Sequence, residues 1–363
     1  MIRTVKERMR DALRKISSEL AATDFEDHDL VIWGAGNTAV LCQEAFHRHG
    51  IVPSCYIDGN EAKQKDLFYG NKVMSPEYLD TVDDPVVMIC SGNVGFTNEI
   101  RSKLDRRGLK NFTVDEYFFG NNANRIIAAA DMLNDDRSVK VFCDMILNRL
   151  NNRLPAADII DGDQYFILPQ FRKIPAGDVF VNIGAYKGEE VEKYLEYCGG
   201  RDFGKIISFE PDIENYSEML SLIDALNRKY GIKEGKIRCV MAAVGDMTTT
   251  SSFRSGHGVT SSIGDSSAVG SSSIDIYSLD DFMPNERADF LKADIESFEM
   301  KMLSGARRTI VNNSPRIAVS IYHSPADLFE TIEFLSSLDI GYKFSVRHHS
   351  DRFADTVLYA YTD

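Results

Sequence analysis

The chain has 363 residues, with 41 Lys and Arg against 55 Asp and Glu, for a net charge of −14. That balance argues against a nucleic-acid-binding surface, which needs a basic face to neutralise phosphates. No apolar run is long enough to span a bilayer, and the charged N-terminal stretch lacks the apolar core of a signal peptide.

Residues 2 to about 22 carry Val5, Met9, Leu13 and Ile16 at helical spacing, which predicts an amphipathic helix. Strands and helices then alternate. Asp29–Trp33 reads as a strand, followed by a glycine turn and a helix over 38–49. Ser54–Asp58, Lys72–Met74, Pro85–Cys90 and Asn111–Val114 read as further strands, with a helix over about 96–107. Alternation of this kind implies a parallel sheet. Residues 1–120 are read as a first Rossmann-like domain and 121–175 as a mostly helical connector.

A second α/β domain is expected over 176–363. Its strands read as Val179–Val181, Lys205–Phe209, Arg238–Ala242, Phe290–Ala293, Arg316–Ile321, Tyr342–Arg347 and Thr356–Ala360. Seven strands, the last two close in sequence, suit a doubly wound sheet with an antiparallel strand at its end. The fold class is thus α/β, with two doubly wound domains. The Ser-, Thr- and Gly-rich stretch from Thr248 to Ser273 reads either as a flexible surface hairpin or loop or as a lid at the sheet's carboxyl edge. Six dispersed cysteines with no C-x-x-C pair read as reduced, mostly buried thiols of a cytoplasmic protein.

Two glycine turns each join a strand to a helix. The first is Gly34-Ala35-Gly36-Asn37-Thr38-Ala39, with Asp58 ending the next strand 22 residues after Gly36. Glycines let backbone approach a phosphate, the helix N-terminus favours its charge, and the acid can accept ribose hydroxyls. Gly34, Gly36, Asn37 and Asp58 are therefore candidates for binding a nucleotide or nucleotide-sugar. A ligand-free scaffold is the competing reading, because a lone motif of this kind is weak.

The second turn is Asn182-Ile183-Gly184-Ala185-Tyr186-Lys187-Gly188, and Glu210 ends the next strand 22 residues after Gly188. This wider G-x-x-x-G turn suits an uncharged or zwitterionic group. An acid gripping a ribose diol beside an amino-acid moiety describes S-adenosylmethionine.

At this point a family resemblance adds to the reading. "VFVNIGAYKGEEV", "ISFEPDIENY", "YSLDDFMPNERADFLKADIESFEMKMLSGARRTI", "RIAVSIYHSPADLFETIEFL" and "YKFSVRHHSDRFADTVLYAY" resemble the FkbM family of S-adenosylmethionine-dependent methyltransferases over about 178–361. "VIWGAGNTA" and "YIDGN" look like the Rossmann-like domain that precedes some members, and loosely like the nucleotide-sugar-binding domain of certain sugar acyltransferases. The resemblance implies a seven-stranded class I methyltransferase fold. It also implies O-methylation of a sugar or small-metabolite hydroxyl in polysaccharide or secondary-metabolite biosynthesis. Two positions depart from the family pattern: Asn182 stands where an Asp is usual, and Ser297 stands where D-x-E-G has Gly.

Asn182, Gly184, Ala185, Gly188, Glu210, Pro211, Ala243 and Asp294 are the candidate cofactor residues, with Asp212 and Val244 beside them. His323, Asp294 and Glu296 are the candidate catalytic set, His323 as general base. Helix capping is the competing role for Glu296 and Glu299. His348, His349 and His257 are lesser candidates for touching the acceptor. A divalent metal on Asp294, Glu296 and His323 is compatible with the ligand types, though the sequence does not require one. A small-molecule or glycan acceptor and a homo-oligomer complete the expectations. The rival reading is a non-catalytic nucleotide- or sugar-binding assembly protein on a degenerate methyltransferase fold.

Overall fold

The computed structural model describes residues 2–23, 28–65, 67–199, 202–254, 262–263 and 272–363. The chain divides into two units, each closed by segments distant in sequence. The first comprises Met1–Ile160, Tyr322–Glu330 and Val346–Thr356; the second comprises Asp161–Ile321, Thr331–Ser345 and Val357–Asp363.

The first unit opens with helix α1 (Ile2–Ala21). Val5, Met9, Leu13 and Ile16 are buried, as their spacing predicts, and Leu20 extends the stripe. There follow β1 (Leu30–Trp33), α2 (Asn37–Arg48), β2 (Cys55–Ile57), β3 (Leu67–Phe68), β4 (Asn71–Met74), β5 (Val86–Ile89), α3 (Val94–Arg106) and β6 (Asn111–Thr113). Helices α4 (Val114–Asn121), α5 (Ala123–Asp131) and α6 (Asp136–Leu150) come next, and α1 packs on all three. The strand order is β3-β4-β2-β1-β5-β6. All pairings are parallel except β3 with β4.

The two late segments are tied into this unit by polar contacts. Glu330 receives Arg48 at 2.8 Å and lies 2.6 Å from the His49 ring nitrogen Nε2. Arg149 donates to the Tyr322 carbonyl at 2.9 Å, and the Val346 N–H donates to Ser138 Oγ at 2.9 Å.

The second unit contains α7 (Pro169–Arg172), β7 (Val179–Ile183), α8 (Glu189–Cys198), β8 (Lys205–Phe209), α9 (Ile213–Tyr230) and β9 (Ile237–Val240). Then come β10 (Ala243–Val244), β11 (Thr249–Arg254), β12 (Ser262–Ile263), β13 (Ser272–Tyr277), α10 (Leu279–Phe282), β14 (Phe290–Ala293), α11 (Glu299–Gly305) and α12 (Arg307–Asn313). The chain continues through β15 (Arg316–Ser320), α13 (Asp327–Ser336), β16 (Lys343–His348) and β17 (Thr356–Tyr361).

The seven-stranded sheet runs β16-β17-β15-β14-β7-β8-β9. Strand β17 is antiparallel to β15, while β14, β15, β7, β8 and β9 pair in parallel. This is the doubly wound sheet expected from the strand count. Its core is aromatic on the face that α8 covers: the Phe180 ring stacks on Tyr194 and on Phe290, each at 4.7 Å between centroids.

The flanks of the serine-rich stretch pair as a hairpin, one of the forms expected from its composition. They form a second sheet of order β10-β13-β11-β12, with Thr249–Phe253 antiparallel to Ser272–Ile276. Residues 255–261, with His257, and 264–271 lie outside the described residues. All six cysteines are free thiols, five of them buried. Among the described residues, no helix is long and apolar enough to cross a membrane.

Candidate active site

Strands β7, β8 and β14 end side by side at the sheet's carboxyl edge, where open α/β sheets bind ligands. The chain leaves β7 through Gly184, whose φ is +70°. A Cβ there would stand 1.9 Å from the Asp294 carbonyl oxygen, so only glycine lets the ends of β7 and β14 meet. The Gly184 and Ala185 N–H groups both donate to the Phe209 carbonyl, at 3.0 and 2.9 Å. Gly188, in the left-handed region, is the N-cap of α8 and brings no side-chain cap.

Glu210 follows β8 directly and is 6% exposed. Its carboxylate accepts the Tyr186 N–H at 2.8 Å and the Asp212 N–H at 3.0 Å. Burial pushes the Glu210 carboxyl above its ordinary value, against these two donors, which favour the charged form. The Asn215 side chain is a third donor, and a carboxylate, with about four acceptor sites, keeps capacity beyond these three. The turn and the acid, far apart in sequence, thus form one constellation. Pro211 lies between Glu210 and Asp212. Asp212 is the N-cap of α9, accepting from Glu214 and Asn215 at 2.9 and 3.2 Å. Ala243 and Val244 are buried in β10 and pair with β13.

Asn182 is fully buried, and among the described residues neither side-chain atom has a hydrogen-bond partner. It stands in register with Ser208 on β8, whose hydroxyl is likewise unpartnered, and with Lys292 on β14. Sequence reasoning missed Lys292. The side chain is 2% exposed, and its ammonium donates to the Gly184 carbonyl at 2.7 Å. It also lies 3.7 Å from the Glu190 carboxylate and 4.9 Å from the Tyr165 ring centroid. Buried lysines are rare without such partners.

Tyr165 is the second residue the sequence did not signal; its hydroxyl donates to Asp294 Oδ2 at 2.7 Å. Asp294, half-buried, directly follows β14. Glu296 and Ser297 come next, both in left-handed backbone at φ +54° and +77°. Glu299 is buried, and its carboxylate accepts the Ile295 N–H at 2.8 Å, which is the capping role.

The histidines fall in the first unit. His323 lies three residues past β15 and is 4% exposed, its ring centroid 4.1 Å from that of Tyr322. His348 is fully buried at the end of β16, 2.9 Å from Thr356 Oγ1. Burial, aided by His349, pushes the His348 imidazole down to about 4, so it is neutral at pH 7.

The glycine turn of the first unit has the expected strand–turn–helix context. Gly34 has φ +126°, and a Cβ there would meet the Cys90 carbonyl oxygen at 2.3 Å. Asp58 accepts the Ala35 N–H at 3.0 Å, the Asn60 N–H at 2.9 Å and the Lys63 ammonium at 2.8 Å. Burial raises the Asp58 carboxyl, but these three donors outweigh it and hold the group below its ordinary value.

Residues 182–344 match the family model described as the methyltransferase FkbM domain. The crystal structure of methyltransferase FkbM from Methylobacillus flagellatus KT is similar, with a TM-score of 0.55 at 20% identity, over 98% of this chain and 100% of that one. An rRNA methylase from Streptococcus thermophilus has a TM-score of 0.34 at 10% identity, over 55% of this chain and 95% of that one. No curated protein matches the chain. The turn after β7 and the acid after β8 both lie in residues 182–344, the segment similar to the methyltransferase FkbM domain, and the chain has a Rossmann-like α/β fold.

Proposed function

We propose that this domain is an S-adenosylmethionine-dependent O-methyltransferase acting on a hydroxyl of a sugar or small metabolite. The observation that carries the reading is Glu210, fixed by the N–H groups of Tyr186 and Asp212 at the carboxyl edge, beside the Gly184–Gly188 turn. The residues present fit the group on two further counts. Asn182 offers a buried amide with unsatisfied donor and acceptor atoms. The first turn of α8 carries the exposed Glu189, which favours a ligand of net positive charge.

When bound, S-adenosylmethionine supplies an electrophilic methyl group on a sulfonium. The chain's own residues supply binding and orientation. Glu210 would accept the two ribose hydroxyls. Gly184, Ala185 and Gly188 would shape the pocket wall, with Lys292 holding the Gly184 carbonyl in place. Pro211 and Ala243 would border the nucleoside. Asp294, oriented by the Tyr165 hydroxyl, would face the methionine end or the acceptor, with Glu296 beside it. Of the candidate bases, Asp294 lies in this unit and would take the proton of the acceptor hydroxyl. This reading requires no metal.

Calorimetric titration of the full chain with S-adenosylhomocysteine tests it. Binding in the micromolar range, weakened at least about tenfold in Glu210→Ala, is expected. Absence of binding by the folded protein would overturn it. Ser297, in left-handed backbone where the family pattern has Gly, favours the rival reading of a non-catalytic binding protein. That reading requires that Asp294→Ala and His323→Ala leave the protein's function intact.

A further inference from the structure

The first unit contains a crevice of about 1210 Å³ at the carboxyl edge of its own sheet. It opens where β1 has β2 on one side and β5 on the other, the switch point at which such sheets take ligands. A cavity of that size holds a drug-sized molecule. We propose that it binds a nucleoside diphosphate, with the diphosphate over the Gly34–Thr38 turn, the ribose on Asp58 and the base against Phe96.

Three independent features support this assignment. Phe96, in the first turn of α3, lines the crevice and is 62% exposed. An aromatic ring left out of the core at a crevice wall is a stacking surface for a base. Lys63 also lines the crevice, and its ammonium lies 3.2 Å from where a Cβ on Gly36 would stand. A cation is thus held above the glycine turn, as a phosphate requires. Asp58 is held in the charged form and binds Lys63, so a phosphate arriving at the turn can take over the ammonium and leave carboxylate acceptors to the ribose. Of the other basic side chains of the wall, Arg107 pairs with Asp80, Lys103 with Glu99, and Arg106 donates to the Ser102 carbonyl.

Helix composition fits the same placement. The N-cap of α2 is Gly36, which offers no side-chain cap, whereas Asn93 caps α3 by accepting the Phe96 N–H at 2.9 Å. The N–H groups at the start of α2 are therefore the ones available to an anion. The size of the ligand follows from the topology. After β6 the chain enters α4 at once, through a capping box between Thr113 and Glu116. Beyond β1 the sheet has only β5 and β6, one strand short of the second mononucleotide half that a second nucleoside would need.

The test is calorimetric titration of the full chain with UDP, ADP, NAD and inorganic pyrophosphate, with and without saturating S-adenosylhomocysteine. UDP or ADP is expected to bind in the micromolar range whether or not S-adenosylhomocysteine is present. Phe96→Ala and Lys63→Ala, both at exposed or half-exposed positions, are each expected to weaken binding about tenfold. Failure of both diphosphates to bind would overturn the proposal. So would affinity unchanged in both variants, pyrophosphate binding as tightly as UDP, or NAD binding more tightly than ADP.

Discussion

The Lys292 ammonium and the Gly184 carbonyl oxygen lie 2.7 Å apart, joining the interior of β14 to the turn that leaves β7. A buried ammonium needs partners to offset lost hydration. Here they are that carbonyl, the Glu190 carboxylate and the face of Tyr165. Lys292→Met keeps the chain length and removes the donor. S-adenosylhomocysteine affinity should fall about tenfold, about 1.4 kcal/mol, as the turn loosens. Calorimetry on the purified variant checks it, with circular dichroism to confirm an unchanged fold.

Gly184→Ala should be far more damaging than its size suggests. The added Cβ meets the Asp294 carbonyl oxygen at 1.9 Å in backbone at φ +70°. A loss above about 4 kcal/mol, or failure to fold, is expected. Gly231→Ala is the control, at φ +62° with no atom near the added carbon; it should cost only about 1 kcal/mol. Thermal unfolding of both variants makes the comparison.

Ser297→Gly should stabilise the protein. The serine pays for left-handed backbone at φ +77° and buries a hydroxyl that has no partner among the described residues. Against glycine's greater unfolded entropy, a net gain of about 1 kcal/mol is expected. An upward shift of the urea midpoint would register it.

Asn182→Val should separate stability from binding. Removing two unsatisfied buried polar atoms from the middle of a sheet is expected to raise stability by about 1 kcal/mol. The same change deletes the amide assigned to the ligand, so S-adenosylhomocysteine should bind more weakly. Paired measurements of unfolding and binding on one preparation decide it.

His348 makes the fold acid-sensitive. The folded state keeps this imidazole neutral down to about pH 4, whereas an unfolded chain protonates it near 6.5. Between those values the unfolded state binds the extra proton. The contribution is therefore whole above pH 6.5 and is lost as the pH falls toward 4, by about 3 kcal/mol at most. In His348→Gln the slope of stability against pH should flatten across that window, as urea unfolding at several pH values would show.

Much of this architecture was legible locally. Apolar runs such as Val86–Ile89 and Lys205–Phe209 mark buried strands, and glycines after β1 and β7 mark the turns. The residues that complete the second unit's turn were not legible, because long-range contacts decide their surroundings. Lys292 reads as an ordinary surface lysine until Gly184, 108 residues earlier, supplies its acceptor. Tyr165 precedes its partner Asp294 by 129 residues. The small sheet was legible only as a hairpin or loop: Thr249–Phe253 and Ser272–Ile276 are polar strands whose register local composition does not reveal.

The discontinuous first unit bears on the timing of synthesis. Its Arg48 and His49 close on Glu330, and its Ser138 on Val346, so its last pieces reach to Thr356. At ordinary elongation rates roughly 10 to 40 s separate the emergence of residue 160 from that of residue 356. Throughout that interval the nascent N-terminal portion holds Arg48 without its counter-charge. A chain that emerges first is thus among the last to finish, and it depends on whatever shields it from neighbours until the ribosome lets go.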